Sequence, residues 1–483
     1  MLPQISLKDY DGLNGFGTSS VGDVNELSKA LSAGYQVSNQ TGGSALRVES
    51  LEASLKVVTW SNRHIKLWKK IPKSAAYSTV EEYNVLSQYG ASGAFGFTRE
   101  GELPGTQDST YTRQTALVKF IGTTRAVTHP ATLVNPASGD VIALENQNGI
   151  LWLLERVEDS LFHGNSALAF DGEAEQWDGL DTLINNANVV DLEGQPLQEA
   201  DIEEASNLVI ENYGYPTDMF LGTRAMSDLV KTFYPRERVN MPAPSEGKVG
   251  LSVTSMATQA GTIEFNPDVF LRQGKQPPAA ATSANAPASP GVALQTVSVT
   301  TNASWAKSQG AGNGFYSYAV TACNRFGESA PRLSVNSVQI TAADNASNFG
   351  MDLSVTNAAV VGANPPEYFI IYRTRSLAGP AGASPADLTQ YSEIARVAAP
   401  SQGAAAVMAQ THIDDNAIMP FTETAYLGEL TPSVLTFRQL APLMRMDLAV
   451  LAPAYRWMVL MYGTPILFAP RKWVRLTNVG RLT

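Results

Sequence analysis

Ile150, Leu154, Val157 and Leu161 recur at spacings of four, three and four. That period predicts an amphipathic helix from about Asp140 to His163. Ser138 or Asp140 can cap its start, and Gly164 suits the left-handed position past its end. Glu155, Glu158 and Asp159 fall on its polar side. At 1.5 Å per residue such a helix spans about 36 Å, a long strut for a soluble domain. A second helix is expected from near Glu199 (EADIEEASNLVIENYG) and a third over AMSDLVKTFY, with the short strand DMFLGT between them. SVTSMATQAGTIEFNPDVFL reads as further strands. Residues 51–90 are helical in part. From 91 to 130, GASGAFGF, the turn-rich TREGELPGTQDST and the strand-like YTRQTALVKFIGTTRAVTH predict a long β-hairpin with a polar tip. Both its faces mix polar and apolar residues, and a lone hairpin is marginal in water. It needs a surface to lie on, and a neighbouring subunit is the simplest one.

The pattern changes at Gly274. GKQPPAAATSANAPASPG has no period and reads as a semi-rigid linker. From about 291 to 425 the chain is short strands: VALQTVSVTT, FYSYAVTACN, LSVNSVQIT, DLSVTN, YFIIYRT and SEIARVAA. Their spacing is that of a β-sandwich, with Tyr316, Tyr318, Val320 and Ala322 facing one way. After Thr431 the earlier character returns, so the sandwich reads as an insertion into a parent domain. MVLMYGTPILFAP is broken by Gly463 and Pro465 and predicts two strands, not a membrane helix. The first 50 residues are rich in Gly, Ser and Asn, with one short helical pattern from Asp23 to Leu31. Such an arm buries little alone.

Composition narrows the classes. The chain has 483 residues, of which 44% are hydrophobic. That allows about two to four domains with sizeable cores. No stretch approaches the roughly 20 continuous apolar residues that cross a bilayer. Cys323 is the only cysteine, so no intrachain disulfide can form. MLPQISLKDY has no export signal, which fits folding in a reducing cytosol. The sequons at Asn39, Asn302 and Asn345 are then chance. Net charge is −11, and the basic residues form only short clusters: Arg63, Lys66, Lys69, Lys70 and Lys73, then Arg471, Lys472 and Arg475. Dedicated sequence-specific DNA binding is not expected.

Candidate chemistry is thin. His64, His129, His163 and His412 lie at no metal-ligand spacing, and His163 suits the helix dipole as a cation. Gly247-Lys248 is followed by Val249, so no phosphate loop exists. GAGNGF at 310–315 lies between strands, and no G-x-S-x-G occurs. Glu203/Glu204 and Asp414/Asp415 read as solvated faces or turns, the last pair with a strand-end Ca²⁺ loop as its alternative. Trp60, Trp68 and Trp305 read as core. The expectation is no enzyme: no catalytic residue, no cofactor and no metal.

The order of these parts carries a resemblance. "LFHGNSA…WDGLDTLI" follows arm, hairpin and helix. Then come "EEASNLVIENYGYPTDMFLGTRAMSDLV" and the terminal "YGTPILFAPRKWVRLTNVG". The chain resembles the major capsid proteins of tailed bacteriophages, over most of 50–273 and 431–483. The resemblance implies an α+β Hong Kong 97-type capsid fold. Residues 1–50 would be the N-terminal arm. Residues 51–199 would be the peripheral domain, with the extended loop 91–130 and the spine helix 140–163. Residues 200–275 would begin the axial domain, 276–430 would hold linker and insert, and 431–483 would complete both parent domains. "YSYAVTACNRFGESAP" and "YFIIYRT" resemble a fibronectin type III or immunoglobulin-like module, in permuted order or with different strand equivalences; a permuted order could bring its two ends together. The implied function is a shell subunit of an icosahedral phage head around double-stranded DNA, with the sandwich displayed outside. Implied partners are copies of itself as hexamers and pentamers, possible scaffold, portal and decoration proteins, and DNA held non-specifically, with no membrane. The protein would be made in the bacterial host cytoplasm and reside in the virion. Lys119 lies in the hairpin region, but no motif supports a cross-link there. The competing readings are an encapsulin-like cargo compartment and an adhesion protein built on the sandwich.

Overall fold

The computed structural model describes residues 61–94, 96–134, 140–168, 176–233, 253–271, 274–298, 305, 314–341, 349–358, 364–377, 382–399, 407–450 and 452–482. The arm, the pattern Asp23–Leu31, Trp60, Ser138 and the three sequons lie outside the described residues. Residues 130–134 and 140–144 belong to a compact unit separate from the rest. There, Asp140 Oδ1 accepts the Ile142 N–H at 3.0 Å, the cap expected for the long helix.

That helix, α1, runs Val141–His163. Its buried side is Gly149, Leu153, Val157, Glu158, Leu161 and Phe162, while Ile150 and Leu154 are half-buried. The apolar stripe is therefore turned from the expected one, and Glu158, expected on the polar side, is completely buried. Gly164 is not in the left-handed region. A Cβ there would stand 2.5 Å from Ser160 O and 2.6 Å from Trp177 O, and its carbonyl accepts the Gly179 N–H at 2.8 Å. Close approach of the chain at 177–179, not a positive φ, is what requires glycine.

α1 packs on a four-stranded sheet. Its strands are β1 (Lys73–Ala75), β4 (Lys119–Thr128), β20 (Leu435–Asp447) and β21 (Ala454–Leu467), in the order β1-β20-β21-β4. Gly149 lets the helix close on Arg125 of β4 and Val459 of β21. β21 is one strand of 14 residues where two were expected. Gly463 does not break it, because a Cβ there would run into the Phe437 ring. Pro465 lies past Gly463, where pairing with β4 ends, so no partner on that side misses its N–H.

A six-stranded sheet gathers distant parts of the chain. It contains β5 (Val189–Asp191), β6 (Asp218–Gly222), β7 (Ser255–Thr258), β8 (Gly261–Asp268), β19 (Glu423–Gly428) and β22 (Trp473–Val479), in the order β5-β22-β19-β6-β8-β7. Helices α2 (Glu199–Glu211) and α3 (Thr223–Phe233) fall where the periodicity put them. Ile202, Ala205 and Val209 of α2 and Leu229 of α3 share its core with Met219, Leu427 and Val474. β19 thus pairs in the parent sheet although it lies within 276–430.

The strand-rich segment forms two further sheets. One is β9 (Gly291–Ser298), β15 (Phe349–Ala358) and β18 (Val407–Asp414), in the order β18-β15-β9. The other has β12 (Gly327–Glu328), β11 (Tyr318–Asn324), β16 (Tyr368–Thr374) and β17 (Tyr391–Ala398) in that spatial order, with β13 (Arg332–Leu333) also on β11. β10 (Gly314–Tyr316) pairs β14 (Val338–Ile340). Tyr316, Tyr318, Val320, Met351, Leu353 and Phe369 meet in one core between the sheets. Ala319, Cys323 and Tyr372 are buried on the other face of β11 and β16.

The expected linker is tied to this body as a strap. Lys275 O accepts the Glu393 N–H, Thr282 N–H donates to Glu328 O, Asn324 Nδ2 donates to Asn285 O, and Ser289 Oγ donates to Ala330 O. β9 begins opposite Thr356 and β18 ends opposite Met351, so these two strands do not meet end to end. The strap makes up the length. The chain enters at Gly274 and leaves at Phe421, and a Cβ on Gly274 would stand 2.9 Å from the Phe421 ring.

Candidate self-association surface

The hairpin begins earlier than its sequence suggests. β2 (Val80–Gln88) pairs with β3 (Thr110–Leu117) from Val80↔Leu117 to Gln88↔Thr110. GASGAFGF lies in the connection, because its glycines give strands nothing to pack. The run YTRQTALVKFIGTTRAVTH is two strands in two sheets. Val118, 4% exposed, is the pivot: its N–H donates to Thr79 O, and from Lys119 the chain pairs with β21.

The two strands pair with each other along one edge, with a register shift between Leu86 and Gln88, but their side chains have little to pack on. β2 alternates exposed and half-buried positions, and β3 is exposed along almost its whole length. Tyr77, Leu86, Phe97, Leu103, Tyr111 and Leu117 are all exposed, Leu103 at 94%. Tyr83 donates to Gln114 Oε1 at 2.8 Å and meets the Phe468 ring edge-on. Arg113 and Glu82, 3.3 Å apart, form an exposed pair, which contributes little. Large side chains in and beside this hairpin therefore face water in the single chain, the signature of an interaction surface.

His64, His163, His412, Cys323 and Asp414 lie elsewhere and are bonded or buried, while Gly247-Lys248 and residues 310–313 lie outside the described residues. His163 Nδ1 is 2.6 Å from Asp181 Oδ2, and Asp181 Oδ1 accepts the Tyr426 hydroxyl. Burial opposes charge on His163, but the Asp181 carboxylate outweighs it and raises the pKa. Among the described residues no hydroxyl or thiol bonds this imidazole, so the pair has no nucleophile to activate. Both line a cavity of about 790 Å³, with Asp159, Lys275, Glu393 and Arg396. Burial pushes the Glu393 carboxyl up, yet Arg396 and Lys275 hold it at about 2. His64 bonds Ser61, and burial lowers the pKa of His412. Cys323 is buried, which pushes its thiol up. Among the described residues no His, Cys, Asp and Glu group could hold a metal.

Asp414 is not a solvated turn residue. Its Oδ2 accepts the Tyr318 hydroxyl at 2.9 Å and Arg373 NH1 at 2.5 Å, which leaves no open ligand set for Ca²⁺. Arg373 is fully buried and lies 4.8 Å over the Trp305 ring. Trp305 is core, as expected; Trp68 is half-buried against Phe437. The basic cluster near the start is spent on structure: Lys70 pairs with Asp218 and Glu264, and Lys73 covers Trp68. The buried roles of Glu158 and Arg373 had no signal in the sequence beyond their spacing.

The family model of the SU10 major capsid protein matches residues 53–284. A putative major capsid protein of Enterococcus phage phiEF24C is 29% identical over 471 residues, 94% of each chain. The major capsid protein of Staphylococcus phage K is 26% identical over 466 residues, 94% of this chain and 95% of that one. Among solved structures, the holo-SrpI encapsulin of Synechococcus elongatus PCC 7942 aligns over 89% of this chain and 94% of its own, at 9% identity and a TM-score of 0.42. A score that low does not decide between kinds of shell; the full-length sequence relatives do. Over nearly its full length the chain is similar to tailed-phage major capsid proteins, and it is α+β, with extended hairpin, long helix and mixed sheet in the order that the sequence led us to expect. It is a structural shell protein of a phage head, and neither the cargo-compartment nor the adhesion reading is favoured.

Proposed function

We propose that the chain assembles as hexamers and pentamers into an icosahedral head around double-stranded DNA. The observation that carries this is the hairpin β2–β3, whose large apolar side chains are exposed in the single chain and would be covered by a neighbouring copy. Repetition of one heterologous contact around closed symmetry gives a shell. In this reading 1–50 is the arm, 51–199 the peripheral domain, and 200–275 with 431–483 the axial domain and its completion. The net charge of −11 keeps packaged DNA loosely held. Scaffold, portal and decoration proteins are the further partners, the host cytoplasm is the place of synthesis, and no step of catalysis is assigned.

Residues 276–421, the part of 276–430 that precedes β19, act as an immunoglobulin-like module on the outer surface. The support is in the neighbours. In an immunoglobulin sandwich A–B–E lie in one sheet and C–F–G in the other. Here β9-β15-β18 take the places of A-B-E, and β16, β11 and β12 with β13 those of C, F and G, with β17 outside C. The chain meets F and G before B and C, a permuted order. Electron microscopy of the purified chain, with and without scaffold, tests the whole reading. Closed shells with outward knobs are expected; a discrete monomer or dimer in both conditions overturns it.

A further inference from the structure

A second cavity, about 310 Å³, opens beside Phe421, where the chain leaves the sandwich. Arg224, Thr374, Arg375, Gln390, Phe421 and Arg481 line it. The arginines come from three distant stretches: the first turn of α3, the segment just past β16, and the C-terminal segment after β22. All three are exposed, and among the described residues no carboxylate lines the cavity. Asp228 is the acid that Arg481 feels, but its oxygens take Lys231 Nζ at 2.7 Å and the Leu482 N–H at 3.1 Å. Arg224 stands at a helix start with no acidic residue in the first turn, where the dipole disfavours a cation.

The wall of the cavity is held in place. Phe421 has φ +63° and donates its N–H to Ser392 Oγ at 3.1 Å. A bulky side chain at positive φ is uncommon and persists only where its surroundings fix it. The Arg375 guanidinium lies 5.0 Å over its ring. Three like charges thus face a fixed space with room for roughly ten waters of liquid volume. Guanidinium forks match the geometry of phosphate oxygens.

We propose that this cavity binds a multivalent oxyanion of the phosphate class through Arg224, Arg375 and Arg481, and that the ligand ties the sandwich to the six-stranded-sheet domain. Arg375 belongs to the first body, Arg224 and Arg481 to the second, so one anion serves both. This does not depend on the shell geometry proposed above. Free polyphosphate and the backbone of a nucleic acid share the chemistry, and the test separates them.

Calorimetry of the purified full chain with sodium tripolyphosphate, at ionic strength matched with KCl, should show one saturable site per chain. Arg375→Gln or Arg481→Gln should weaken it about tenfold, as loss of a charge-assisted bond does. Arg→Lys at the same positions should cost less, and Arg99→Gln in the hairpin connection should change nothing. A parallel titration with a short oligothymidylate names the source: tighter binding that is lost in the same variants assigns the site to a phosphodiester backbone. No saturable binding of either probe at millimolar concentration overturns the site, and so does binding that the Gln variants leave intact. For the tie, tripolyphosphate should slow amide exchange at 374–377 in the natural chain and not in Arg224→Gln/Arg481→Gln. Equal slowing in both overturns the tie.

Discussion

The hairpin β2–β3 and the sandwich β9–β18 are both built of antiparallel strands, yet they treat their side chains in opposite ways. β11 buries every residue from Tyr318 to Cys323, whereas β3 buries none. Ladder hydrogen bonds alone therefore do not mark a finished element. The sandwich closes its own core, with Arg373 and Asp414 matched inside it. The hairpin has a two-stranded ladder and no core, so its stability has to come from something added to it. One region is finished within the chain; in the function proposed above, the other is completed by a neighbouring copy.

The largest expected effect breaks the unfinished side. Leu86→Asp with Leu117→Asp places two carboxylates on the hairpin, where both positions are exposed in the single chain. Folding should be largely unchanged by circular dichroism, because both side chains reach the surface of the single chain. Assembly should be lost, read as a shift from shells to small species in sedimentation. Shells at natural yield would show that the hairpin is not a contact surface.

The next effect strikes the finished side. Arg373→Ala leaves Asp414 and the Tyr318 hydroxyl buried without their guanidinium. Removing one member of a buried pair costs about 3–5 kcal/mol, and urea unfolding should show a loss of that size. Arg373→Met with Asp414→Leu should recover part of it, since no charge is then stranded. At low temperature Arg373→Ala should still form shells, now with a labile sandwich. Loss of shells together with the sandwich would mean that the two bodies depend on each other.

The same contrast explains what was legible in the sequence. Helices α1, α2 and α3 announce themselves because each has a long apolar period and one partner surface. The sandwich strands do so through alternation and turn spacing. The hairpin start at Val80 was hidden because β2 has no apolar face to advertise it, and its partner lies past a connection of more than 20 residues. β18 was missed because its pairing to β15 is set by register, not by a hydrophobic run. Gly463 and Pro465 looked like breaks because punctuation residues carry two meanings. One gives room to Phe437, and the other sits where no N–H is needed. Glu158 looked solvated because the backbone donors that hold it come from about 90 residues away.

Glu158 supplies the smallest effect, and it belongs to the parent body alone. Its side chain accepts the N–H groups of Lys66, Leu67 and Trp68 at 2.7–2.8 Å. Asp268, also fully buried, lies against it. One Asp268 oxygen accepts the Phe270 N–H, while the other is buried without a donor. Burial first, then the Glu158 charge and the hydrogen bond to it, push Asp268 up to about 8, against weaker pulls from Phe270 and Lys66. In the folded chain Asp268 keeps its proton up to that pH; unfolded, it loses it near 3.8. The unfolded state therefore binds fewer protons across this window, and stability falls as pH rises. It is greatest below about 4 and is lost through about 8, on the order of 2–4 kcal/mol between pH 5 and pH 8. Asp268→Asn keeps an N–H donor for Glu158 and cannot ionise. Its stability should not share that decline, so the variant should gain on the natural chain at pH 8 and match it near pH 5. Urea midpoints at the two pH values read this directly, and parallel slopes for both proteins would place the proton elsewhere. The sandwich, followed by amide exchange within β11 and β16, should respond to neither the pH step nor the substitution.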